Sequence, residues 1–125
     1  MTLPYMRLSG IVLDSPNARE LAAFYRRLLG WTAEKDEPNW VKLRPPGGGP
    51  GLSFQSEPEY VPPKWPSNKC HQQMMLHLDI EVEDLAVASA HATECGAALA
   101  DFQPQERVRV FLDPSGHPFC LWTRD

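Results

Sequence analysis

Leu21, Phe24, Tyr25, Leu28 and Leu29 recur at spacings of three and four through "SPNARELAAFYRRLLG" (15–30). That period predicts a helix with one apolar face, opening at Ser15 and Pro16 and stopping at Gly30. Before it, "RLSGIVL" (7–13) reads as a strand, and after it come short strand candidates at 31–35, 39–44 and 51–55. "PPGGGP" between the last two is a turn. Residues 57–68 carry Pro58, Pro62, Pro63 and Pro66, a density that suits neither a central strand nor a helix interior. This stretch is read as a linker or a lid.

Beyond it the pattern begins again. "MMLHLDIEV" (74–82) predicts a strand, "EDLAVASAHATECG" a helix ending on Gly96, and "AALADF", "RVRVFLD" and "PFCLW" three further strands. The repeat extends to detail. "VKLRPPGGGPGLSFQ" (41–55) runs beside "VFLDPSGHPFCLW" (110–122), pairing Leu43 with Leu112, Ser53 with Cys120 and Gln55 with Trp122, and Gly10 falls opposite His77. The expected fold class is therefore α+β: two tandem βαβββ modules forming a shared concave mixed sheet. Module one covers about 6–56, the Pro-rich linker about 57–73 and module two about 74–125, all within one domain spanning 1–125.

Composition narrows the function classes. The chain has 125 residues, 42% hydrophobic and 22% charged, with no apolar run near the ~18 residues of a membrane span, so no membrane partner is expected. A net charge of −4 with scattered Lys and Arg gives no basic stripe for a phosphate backbone, so no nucleic-acid partner is expected either. The odd count of 3 cysteines and the lack of a leader pattern at residue 1 point to reduced thiols and a cytoplasmic location.

Candidate chemistry follows from strand facing. Alternation along "HLDIEV" sends Leu78, Ile80 and Val82 to one face and His77, Asp79 and Glu81 to the other. The apolar face meets the helices, so three ionisable groups in a row line the concavity, unless Glu81 is a solvated rim charge. In the first module Gly10, Val12 and Asp14 share that facing, and the closing strands add Ser53 with Gln55 and Cys120 with Trp122. His77 is either a proton-transfer or ligand-anchoring group tuned by Asp79, or holds a structural hydrogen bond. Cys120 is an inert small hydrophobe unless His77 approaches it, when a Cys–His nucleophile arises. Trp65, between prolines in a polar linker, either covers the cavity or anchors to a partner subunit. His117 is given only a turn role. Cys70 and His71 are not paired with His77 as a zinc site, because six extended residues span roughly 20 Å.

"FYRRLLGW" (24–31), "HLDIEVEDL" (77–85) and "DPSGHPFCLW" (113–122), taken in this order with the duplication, resemble the vicinal oxygen chelate superfamily. This is the group of glyoxalases, bleomycin-resistance proteins and extradiol dioxygenases, and the chain is most similar to its small glyoxalase-like subgroup. The resemblance implies a homodimer and a divalent metal on four positions, which fall here on Gly10, Ser53, His77 and Cys120. Of these only His77 matches the family's usual ligands, so the full metal site is not expected and a divalent cofactor is not favoured.

Three functions follow. The first is a small-molecule-binding protein with its pocket between the modules, lined by Asp14, Gln55, Trp65, His77, Asp79, Glu81, Cys120 and Trp122, with His77, Asp79 and Cys120 as candidate catalytic groups. Its acidic lining suits a cationic or hydrogen-bond-donating ligand. The second is a metal-dependent lyase, isomerase or dioxygenase with Gln55, Asp79 or Glu81 completing the ligand set. The third is a structural dimerisation module with a vestigial cavity.

Overall fold

Asn17 opens the first helix, two residues later than the sequence suggested. In the computed structural model, which describes residues 2–124, strand β1 (Gly10–Ser15) runs on through Ser15. The buried Ser15 hydroxyl donates to the Asn17 carbonyl and accepts from its N–H, both at 3.0 Å, so it serves the strand-to-helix turn. Asn17 Oδ1 then accepts from Glu20 N and caps α1 (Ala18–Leu29). Gly30, at φ 71°, ends the helix in the left-handed conformation that glycine adopts without strain.

Strands β2 (Thr32–Glu37), β3 (Trp40–Arg44) and β4 (Gly51–Ser56) complete the first repeat, in a sheet ordered β1-β4-β3-β2 with β1 and β4 parallel. Helix α1 buries Leu21, Phe24 and Tyr25, while Leu13, Val41, Leu43, Leu52 and Phe54 are buried on the strands. Tyr25 stacks on Phe54 with ring centroids 5.5 Å apart.

The second repeat comprises β5 (Leu78–Glu81), α2 (Leu85–Cys95), β6 (Ala98–Leu99), β7 (Val108–Leu112) and β8 (Pro118–Trp122), ordered β5-β8-β7-β6 with β5 and β8 parallel. Asp84 caps α2 at Val87 N, and Gly96 closes it at φ 116°. Phe111, Phe119 and Leu121 are buried, and Phe111 stacks on Phe119 at 5.9 Å.

The α+β class with two βαβββ modules is what the sequence predicted. The expected shared sheet is corrected: among the described residues the strands form two separate four-stranded sheets, one per repeat. The chain divides into two compact units, one ending at Pro58 and the other beginning at Glu59. One pairing also shifts. Leu43 faces Leu52 and Phe111 faces Phe119, so with Ser53 equivalent to Cys120 it is Phe111, not Leu112, that corresponds to Leu43. Both β1 and β5 start later than the apolar pattern suggested, which leaves His77 immediately ahead of its strand.

Residues 59–73 belong to the second unit. Tyr60 Oη donates to the Ser115 carbonyl at 2.6 Å, and Trp65 Nε1 donates to the Phe102 carbonyl at 3.1 Å. Pro62 comes so close to the 113–117 turn that a Cβ on Gly116, which also sits at φ 90°, would lie 3.0 Å from Pro62 Cβ.

Candidate functional site

The pairing of β5 with β8 sets Asp79 opposite Cys120 and Glu81 opposite Trp122. Antiparallel β7 sets Val110 opposite Cys120 and Val108 opposite Trp122. Residues opposite one another share a face, so Asp79, Cys120, Trp122, Val108 and Val110 emerge on one side of the sheet while Leu78, Ile80, Phe111, Phe119 and Leu121 take the other. The first group borders a cavity of about 440 Å³ in the second unit, joined by His77, Met74, Pro118 and Trp65. Strand alternation therefore explains most of the wall. Trp65 is brought to it by the proline-rich segment, held by its bond to Phe102.

The lining also carries polar groups, among them His77, Asp79, Gln105, Arg107 and Thr123. His77 Nε2 lies 3.1 Å from Asp79 Oδ1, with both side chains reaching solvent. The ligating atoms of His77, Asp79 and Cys120 all fall within 4.8 Å of one another. Burial pushes the Cys120 thiol up to about 11, with the Asp79 charge and its hydrogen bond adding to the effect. A thiolate is disfavoured here on both counts, so a free Cys120 is a poor nucleophile at neutral pH.

Other candidates lie elsewhere. Glu81 pairs with Arg124, whose guanidinium also sits 5.4 Å from the Trp122 ring centroid, so this acid is engaged at an exposed rim and does not line the cavity. Asp14 and Gln55 belong to the first unit, where Gln55 Nε2 donates to Asp14 Oδ1 at 2.7 Å across β1 and β4. His117 is structural. Its Nδ1 lies 2.8 Å from Oδ2 of the fully buried Asp113, and Asp113 Oδ1 accepts from the backbone N–H of Ser115 and of His117. Sequence reasoning did not single out Met74, Arg107, Val108 or Val110. The two valines carried a usable signal, since they alternate on the strand beside Cys120; Met74 and Arg107 lie outside the strands.

The family's four metal positions can be tested against these residues. Gly10 has no donor and backs onto Gly51, where an added Cβ would lie 3.2 Å from the Gly51 carbonyl oxygen. Ser53 is buried, with cationic Lys42 as its cross-strand partner. A buried neutral hydroxyl is a poor ligand for a divalent ion. The four-position set does not fit this chain; His77 and Cys120 are the two positions with strong donors.

The profile of the glyoxalase-like domain matches residues 10–122. The chain belongs to that family. Solved structures agree on the fold. A glyoxalase/bleomycin resistance protein/dioxygenase family enzyme from Burkholderia phytofirmans PsJN superposes with a TM-score of 0.69 at 17% identity, covering 94% of this chain and 98% of its own. A glyoxalase-related enzyme from Fulvimarina pelagi gives 0.70 at 17% identity, over 96% and 89%. A glyoxalase/dioxygenase from Nostoc punctiforme gives 0.63 at 18% identity, over 94% and 90%. None of the curated proteins compared with the chain matches it. The glyoxalase-like family placement thus supports the vicinal oxygen chelate resemblance. No helix among the described residues is long and apolar enough to cross a membrane.

Proposed function

We propose that this glyoxalase-like protein binds a small molecule in the cavity of its second unit and does so without the family's four-position metal set. The observation that carries the reading is the cavity's mixed lining: Trp65, Met74, Val108, Val110 and Trp122 supply apolar surface, while His77 and Asp79, with Gln105, Arg107 and Thr123, supply polar groups. A volume of about 440 Å³ lies in the range of roughly 300–1,000 Å³ typical of ligand pockets. The occupant that suits it is compact and flat, with a cationic or hydrogen-bond-donating group at Asp79. Chain 1–125 acts as one functional domain, since the family match runs across both units. A cytoplasmic homodimer is part of this reading, and the exposed apolar side chains of Leu3, Tyr5, Met6 and Leu8 are in keeping with a partner copy.

A glyoxalase-like lyase or isomerase is the second reading, favoured by the His77–Asp79 pair, which can hold and pass a proton at Nε2. Both readings predict ligand binding; only this one predicts turnover that His77→Ala removes.

The test is a thermal-shift screen of small aromatic amines and neutral analogues, with hits titrated by tryptophan fluorescence. A hit should lose affinity roughly 10-fold or more in Asp79→Asn, as expected for a hydrogen bond to a charged group. It should also weaken in Trp122→Ala. Hits indifferent to both substitutions, or no hits at all, would remove the cavity from consideration.

A further inference from the structure

We propose that Arg7, Lys42, Arg44 and the glycine-rich connection between β3 and β4 form an anion site in the first unit that takes a dianionic phosphate group. The inference goes beyond the small-molecule reading and stands without it, because this site shares no residue with the cavity of the second unit and uses none of the family's four metal positions. A cavity of about 290 Å³ opens here, lined by the three cations, Ser9, Glu34 and the 45–51 connection. Three cations against one carboxylate leave a local charge of +2, in a chain whose net charge is −4. Positive charge gathered in a concave wall against the overall balance draws anions to it.

The backbone gathers these groups. Alternation along β3 puts Lys42 and Arg44 on one face and buries Val41 and Leu43 on the other. The β2 irregularity between Ala33 and Lys35 lies beside them, and Glu34 Oε1 accepts from Arg44 Nη2 while its Oε2 sits 3.3 Å from Lys42 Nζ. Arg44 first, and then Lys42, holds the Glu34 carboxyl below its usual value, so the two cations already stabilise negative charge at this point. Glu34 offsets only part of their charge. Arg7 has no ion pair among the described residues, and the Ser9 carbonyl accepts from Gly51 N–H at 3.0 Å, which ties the segment bearing Arg7 to the connection. Gly48 and Gly49, at φ 84° and 96°, leave the backbone uncovered on the remaining wall, where an added Cβ would meet nothing within 4 Å. An anion can approach the main chain closely there. Charge and shape then select the group: a phosphate monoester carries about −1.5 to −2 at pH 7, and guanidinium forks pair two of its oxygens at once.

The test is calorimetric titration of the full chain with inorganic phosphate, glycerol 3-phosphate and succinate, at matched ionic strength in phosphate-free buffer. Saturable binding of a phosphate compound is expected, and the tighter of the two phosphates shows whether the group arrives free or on a small molecule. Arg7→Ala, a change outside every helix and strand, should lower the affinity roughly 10-fold, as should Arg44→Gln, each removing a charged hydrogen-bond donor. Glu34→Gln is the telling variant. It frees both cations from an internal competitor and should tighten phosphate binding roughly 5-fold, the scale of one like charge removed at contact distance. His77→Ala and Asp79→Asn should leave phosphate binding unchanged, so failure of this site and failure of the second-unit cavity are read separately. No saturable phosphate binding, equal affinity in wild type and Arg7→Ala, weaker binding in Glu34→Gln, or a preference for succinate would each overturn the proposal.

Discussion

Cys120 shows how a single residue's setting decides its chemistry. It sits in β8 between Phe119 and Leu121, both buried on the opposite face, and its own thiol meets Asp79 on the cavity side. Partial burial is the larger influence and the carboxylate the smaller, and together they raise the thiol from 9.0 to about 11. A rise of that size lowers the thiolate fraction at pH 8 roughly 100-fold, because each pH unit is a factor of ten. In chelator-containing buffer, Cys120 should therefore be alkylated far more slowly than exposed Cys70, with its rate still climbing above pH 10. Asp79→Asn removes the charge but leaves the burial, so the rate should recover only in part. Peptide-resolved mass spectrometry reads both sites in one sample; equal rates for Cys70 and Cys120 would contradict the assignment. His117 serves the turn, as its place after Gly116 suggested: a buried Asp113 occupies one ring nitrogen and Tyr60 lies 3.3 Å from the other.

Among the elements, the β3–β4 hairpin makes the sharpest demand on sequence. A Cβ at Gly51 would fall 2.4 Å from the Leu43 carbonyl oxygen, a backbone atom with no freedom to withdraw. At Gly47, in the same connection, a Cβ would meet nothing within 4 Å. Gly51→Ala should thus cost about 1–3 kcal/mol, as overpacking does, while Gly47→Ala should be near neutral. Denaturant unfolding of the pair checks it; comparable midpoints would mean that the hairpin adjusts. Legibility in the sequence tracked this kind of local constraint. Helix α1 was plain from its three–four spacing and Gly30, and the facing of His77, Asp79, Cys120 and Trp122 was plain from alternation. Register was not: Leu43 and its partner Leu52 are nine residues apart whereas Phe111 and its partner Phe119 are eight apart, and this one-residue difference in the turn hid the shift to Phe111. Nor was the helix start, since Ser15 and Asn17 are both good caps and only tertiary structure buries the first. The engagement of Glu81 by Arg124 joins residues 43 positions apart, a relation no periodicity reports.

For the whole molecule, duplication of the fold has not meant equal sharing of the core. Helix α1 buries Ala18, Leu21, Ala22, Phe24 and Tyr25, two of them large aromatics, whereas α2 buries only Ala92 and Cys95 among its described residues. Val87 on α2 is 67% exposed, and Leu99 and Phe102 beyond it are also exposed. Burying a large side chain contributes roughly 1.5–3 kcal/mol, so α2 has much less holding it to its sheet than α1. Local opening should follow that difference: in a dilute sample, α2 amides should exchange with solvent well before those of α1. Native-state hydrogen exchange followed by mass spectrometry resolves the two helices. The comparison has a second use, because the homodimer reading requires apolar surface to be covered somewhere. If α2 is protected as strongly as α1 at high protein concentration and loses that protection on dilution, a partner copy covers it, and the exposed Val87 marks the interface. Equal protection at every concentration would instead mean that the few buried residues of α2 hold it more firmly than their area predicts.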